Sequence, residues 1–139
     1  MQLNVFRTLW GVTTPWQQTV SELRSVGCCG IEARVPLTRE EQRALAQRIE
    51  ASALEYIAIV FSGGGVIPAQ AETPAQHLER LKERFAAAKA LNPRFVNLLA
   101  GNDRWPLAQQ VDFLGRAHEL ATEYLSLIHI SEPTRPERI

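Results

Sequence analysis

The stretch YIAIVFSGGGVIPAQAETPAQHLERLKERFAAA, residues 56–88, decides the fold. Tyr56–Phe61 is an unbroken apolar run, not an alternation, which is the pattern of a strand covered on both faces. Ser62–Glu72 then carries three consecutive glycines and Pro68, a composition that breaks regular structure. Thr73, Pro74 and Gln76 follow in the order of a capped helix start: hydroxyl cap, proline at the first helical position, amide three residues after the cap. Leu78, Leu81, Phe85 and Ala88 recur three and four apart, so they share one helical face. The segment reads strand, loop, helix.

The same unit repeats outward. Leu3–Leu9, Gly30–Val35 and Arg94–Leu99 are further strand candidates, each followed by a helical pattern. The first helix is expected to start at Thr14, with Pro15 next and Gln17 completing the capping box; Val20, Leu23 and Val26 would form its apolar face. Thr38 and Glu41 open the second helix in the same way, and the fourth begins near Pro106. Strand–helix alternation of this kind predicts an α/β fold with parallel strands and right-handed crossovers. Four such units make either a small doubly wound domain or half of an eight-unit barrel, which typically needs about 250 residues.

Composition narrows the function classes. At 139 residues the chain has room for one domain with a core. Fifteen basic and fifteen acidic side chains cancel, which argues against a broad basic nucleic-acid footprint. No apolar run approaches the roughly 20 residues of a membrane span, and Met1–Gly11 lacks the apolar centre of a signal peptide. Cys28 and Cys29 are adjacent, so free thiols in a reducing cytoplasm are the expectation. They have no second pair at zinc-ligand spacing.

The segments LNVFRTLWG (3–11), GIEARVP (30–36), EYIAIVFSGG (55–64), TPAQHL (73–78) and PRFVNLLAGNDRW (93–105) resemble, in order and spacing, the sugar phosphate isomerase/epimerase family. That family belongs to the xylose isomerase-like TIM barrel superfamily. The resemblance covers residues 1–124 and implies four βα units with strand order 1-2-3-4, the N-terminal half of a TIM (β/α)8 barrel. It implies a parent enzyme that isomerises or epimerises a sugar or hydroxy-carbonyl substrate by metal-assisted proton abstraction. The divalent metal (Mn, Mg or Zn) would be held by ligands from the fifth to eighth strands, so no metal ligand is assigned here. The superfamily's endonuclease IV branch would need histidines ending the third and fourth strands. Here those strands end IVFSGGG and NLLAGND, with Leu99 at the expected histidine position, so that branch is the lesser alternative.

Residues 125–139 read differently. LSLIHISEPTR (125–135) back-translates without interruption into a transposase adapter used in sequencing libraries, and Pro136 fits its continuation. The segment is expected to be a non-native tail, and the isomerase-like segment to lack catalytic activity on its own.

In a βα barrel, chemistry gathers at the C-terminal ends of the strands. That rule selects Arg7 and Trp10, then Glu32 and Arg34, then Ser62–Gly65, then Asn97, Asn102, Asp103 and Trp105. The expected substrate-binding set is Arg7, Trp10, Glu32, Arg34, Asn97, Asp103 and Trp105, with Glu32 also a possible auxiliary acid or base. Competing structural readings stand beside these. Glu32 and Arg34, two apart on one strand face, can pair at the rim; Trp10 can pack in the core; Asp103 can simply open a turn. Arg7 is expected to point into the barrel or its mouth, toward a substrate anion or Glu32. His77 is expected to be exposed or to bond a loop, and His118 and His129 are given no role. Ser62–Glu72 is expected to be a mobile loop over the substrate, hinged at its glycines. A complete flavodoxin-like binding domain is a further alternative, and strand order separates the two, since that fold places the second strand outermost. A four-unit sheet has two open edges, so self-association through them is expected.

Overall fold

The computed structural model describes residues 1–125; the segment 126–139, which holds nearly all of the expected adapter-derived tail, lies outside them. The elements run β1 (Phe6–Thr8), α1 (Trp16–Ser25), β2 (Gly30–Arg34), α2 (Arg39–Ser52), β3 (Glu55–Phe61), α3 (Pro74–Ala90), β4 (Phe95–Leu99) and α4 (Leu107–Leu125). Leu125, the first residue of the expected tail, is the last residue of α4 and is buried. The strands form one parallel sheet in the order β1-β2-β3-β4. The outermost β2 of a flavodoxin-like sheet is not found.

Two of the three expected capping boxes form. Thr38 accepts the Glu41 N–H while the Glu41 carboxylate takes the Thr38 N–H, and Thr73 and Gln76 repeat the exchange with Pro74 in the first turn. The box at Thr14 does not form. The Thr14 hydroxyl instead lies 2.8 Å from the Thr19 hydroxyl, and α1 starts one residue later than expected, after Pro15, without a side-chain cap.

Register sorts the strand residues onto two faces. Neighbours in register point the same way, so Arg7, Ile31 and Tyr56 share one side, as do Ala33, Ala58 and Val96. Ile31, Tyr56, Ala58 and Val60 from this side pack in one cluster with Val20 and Leu23 of α1, Leu81 and Phe85 of α3, and Phe113 and Ala117 of α4. Leu45 and Ile49 of α2 lean on the same cluster. All four helices therefore cover one face of the sheet. A uniform strand order with right-handed crossovers requires that, because every connection steps the same way.

The other face carries Thr8, Glu32, Arg34, Ile57, Ile59, Phe61, Phe95, Asn97 and Leu99. None of the described helices covers it: Phe95 and Leu99 stay exposed, and β4 alternates exposed and half-buried along its length. Near the N-terminal end of this face the Phe6 ring lies flush over Gly30, where any Cβ would collide with that ring and with the Glu55 carbonyl. Glycine at position 30 is a packing requirement.

Candidate functional site

The uncovered face gathers polar groups toward the C-terminal ends of its strands. Asn97 of β4 donates its amide to Glu32 Oε1 of β2 at 3.2 Å, reaching across β3. In the same register row as Asn97, the Arg34 guanidinium lies over the Phe61 ring, 4.7 Å from its centre, at cation–π distance. Trp10, just past β1, sets its indole 6.2 Å from the same ring. Leu9, Trp10, Gly11, Ala33, Arg34 and Ile59 line an open depression of about 330 Å³. Among the described residues, no carboxylate lies within 4.0 Å of Arg34. The rim pairing of Glu32 with Arg34 does not form; Glu32 is oriented by Asn97 instead. Trp10 is more than half exposed, so it is not a core residue.

Beside this patch lies a cleft of about 400 Å³ between the β3–α3 and β4–α4 loops, lined by Phe61, the glycine loop, Val66, Ile67, Gly101, Asn102, Asp103 and Arg104. Its walls are tied from behind. The Glu72 carboxylate accepts the Gly64 and Ala69 N–H groups at 3.0 and 3.1 Å and pairs with Arg80 at 2.7 Å. Arg84 donates to the Phe61 carbonyl and, at 2.6 Å, to that of Gly63. Asn102 Nδ2 donates to the Ala69 carbonyl and Trp105 Nε1 to that of Glu72. Both ends of the expected mobile loop are thus fastened, and its exposed apolar tip is Val66 and Ile67.

The core of this knot is fully buried. Ser62 Oγ lies 2.8 Å from His77 Nδ1 and accepts the Gly101 N–H at 2.9 Å. Gly101 has a φ of +94°, which favours glycine and aims its N–H at Ser62. On the other side of the ring, His77 Nε2 is 3.0 Å from Glu72 Oε2 without the alignment of a hydrogen bond, so the contact is chiefly electrostatic. Burial holds the His77 pKa below its usual value, against the opposing pull of Glu72. Burial would raise the Glu72 pKa, but the Gly64 and Ala69 N–H groups and Arg80 outweigh it and leave it low. A serine, histidine and carboxylate in series resemble a nucleophile set, but Ser62 has no exposed surface and cannot meet a substrate.

Several expected site residues sit elsewhere. Arg7 points to the helix side, not the barrel interior, because its register partner is the buried Ile31; it pairs with Glu22 of α1 at 2.9 Å and holds that carboxyl below its usual range. Trp105 is buried, its ring 4.7 Å from His77 and 5.0 Å from Phe113, and it anchors a loop without facing the cleft. Asp103 is exposed at the cleft, while the turn is opened by Asn102, whose side chain accepts the Arg104 N–H. His77 bonds a loop residue but is wholly buried. Glu72 and Arg84 carried no sequence signal: Glu72 folds back on Gly64, Ala69 and Arg80, and Arg84 of α3 reaches back to the Phe61 and Gly63 carbonyls, while Asn102, selected by the strand-end rule, turns out to tie its loop to Ala69.

No protein-family model matches the chain, and no curated protein matches it. Among the described residues no three His, Cys, Asp or Glu side chains come together as a metal-holding group. Glu32 bonds an amide and Asp103 stands in a different loop, so these two carboxylates are not brought together; the resemblance places the ligands of its divalent metal on later strands.

Proposed function

We propose that the uncovered face is the substrate-holding arc of a βα barrel acting on a sugar or hydroxy-carbonyl compound with an anionic group. The arrangement that carries this reading is Arg34, a guanidinium set over Phe61 without a carboxylate partner among the described residues, beside the Glu32–Asn97 pair and the exposed Trp10 indole. A guanidinium matches a phosphate or carboxylate with two parallel N–H donors. Glu32 Oε2 and the remaining amide valences of Asn97 suit sugar hydroxyls, and an indole face suits the apolar side of a pyranose ring. Isomerisation or epimerisation of such a compound moves a proton next to a carbonyl. Glu32 is the acid/base group this arc contributes, and binding and orientation are its main part. The one-sided sheet and its strand order support the N-terminal half-barrel reading, and no metal-dependent step is assigned to these residues.

The test compares a sugar phosphate with its unphosphorylated counterpart by calorimetric titration of the full chain. The phosphorylated compound is expected to bind more tightly. Arg34→Ala should remove that preference, by about tenfold to a hundredfold for a charge-assisted contact, while Arg7→Ala should leave it intact. Equal affinity for both compounds, or a preference that follows Arg7, would overturn the reading.

A further inference from the structure

The buried groups behind the cleft support an inference that rests on reading that cleft as part of a ligand site. His77 Nε2 lies 3.0 Å from Glu72 Oε2, and a bare, electron-rich nitrogen that close to an ionised carboxylate is disfavoured electrostatically, so Nε2 carries the ring proton. Nδ1 is then a bare acceptor and takes the Ser62 hydroxyl hydrogen at 2.8 Å. The Ser62 oxygen, having given its hydrogen, accepts from the Gly101 N–H at 2.9 Å. Each polar group is thereby assigned one direction: Gly101 to Ser62 to His77 toward Glu72, whose carboxylate also gathers Gly64 and Ala69.

We propose that Ser62, His77 and Glu72 form a one-way relay that joins the β3–α3 and β4–α4 loops into a single unit, with His77 the positioning residue that sets the shape of the cleft. Gly64 and Gly101, one on each loop, depend on opposite ends of the relay. A second proton on the ring would reverse its Nδ1 end, since Nδ1 would then donate and the Ser62 hydroxyl would lose its acceptor in a site without water-accessible surface. The groups facing His77 are Glu72 from the loop, Arg80 and Arg84 from its own helix, the Trp105 ring, and the Phe113 ring from α4. The two arginines oppose a charged ring and Glu72 favours one; with burial added, the neutral form prevails near neutral pH.

Nitrogen-15 imidazole spectra of the full chain give the tautomer directly, and amide exchange gives the coupling. The expected result is an Nε2–H ring at neutral pH, and on acidification a loss of protection at Gly64 and Gly101 over the same pH range while Ile31 and Val60 stay protected. Ser62→Ala should raise exchange at Gly101 about tenfold, the worth of one hydrogen bond, with Gly64 still held by Glu72. An Nδ1–H ring, or Gly64 and Gly101 opening over separate pH ranges, overturns the proposal. If Ser62→Ala does not fold, the wild-type spectra and paired exchange decide alone. None of these readouts uses a sugar, so they succeed or fail independently of the substrate reading.

Discussion

Ile31 and Glu32 are adjacent in sequence and lie on opposite faces of the sheet, so they measure separately whether one face is core and the other is free. Ile31 is completely buried against the helices. Ile31→Ala deletes three carbons, worth about 2.4 kcal/mol at roughly 0.8 per buried methylene. The cavity left behind adds to this, and comparable substitutions cost about 2–5 kcal/mol in all. With a urea dependence of about 1.5 kcal/mol per molar for a domain of this size, a loss of about 3 kcal/mol lowers the unfolding midpoint by roughly 2 M. Glu32→Ala removes a 3.2 Å bond to an exposed Asn97, worth about 0.5–1 kcal/mol, and should lower the midpoint by roughly 0.3–0.7 M. Urea unfolding followed by far-ultraviolet circular dichroism reads both. Equal midpoint losses, or a larger loss for Glu32→Ala, would refute the assignment of the two faces.

Thr38→Ala removes a cap with both halves of its box formed and should cost about 1 kcal/mol, measured by the same unfolding curves. Acid should weaken the fold in sequence. His77 binds its proton less readily folded than unfolded, so stability present above the ordinary imidazole value is lost as pH falls through that value toward the lowered folded one. Glu72, also lowered, adds a further loss only below the ordinary carboxyl value, and thermal unfolding from pH 8 down to about pH 2 should show both falls. Among the described residues the outer edges of β1 and β4 are unpaired, and Phe95 and Leu99 stand exposed on the uncovered face. Size-exclusion chromatography with light scattering should therefore find concentration-dependent self-association, reduced in a Phe95→Lys, Leu99→Lys variant; a monomer at every concentration would contradict this.

Much of the fold was legible because its signals are local. The apolar run at Tyr56–Phe61 and the Thr73–Pro74–Gln76 start are each read within a few residues, and both formed as expected. Thr14 shows where local reading ends: the same cap signature fails because Thr19, one turn on, takes the hydroxyl. Arg7 shows the cost of a three-residue strand, too short for alternation to fix which side a residue faces; register against Ile31 fixed it. Glu32, Arg34 and Asn97 could be placed by the rule that strand ends gather chemistry, yet the Glu32–Asn97 bond spans 65 residues and no spacing announces it. The knot of Ser62, Glu72, His77 and Trp105 was legible only in pieces, as a glycine loop, a helix start and a strand-end tryptophan. Burial joined them.

Amide and indole chemical-shift mapping of the full chain titrated with a sugar phosphate tests the central claim most directly. Shifts are expected at Trp10, Arg34, Phe61 and Asn97, together on the uncovered face, with Arg7, Glu22 and the helix-side residues unmoved. Shifts confined to the helical side, or none at saturating sugar phosphate, would contradict it.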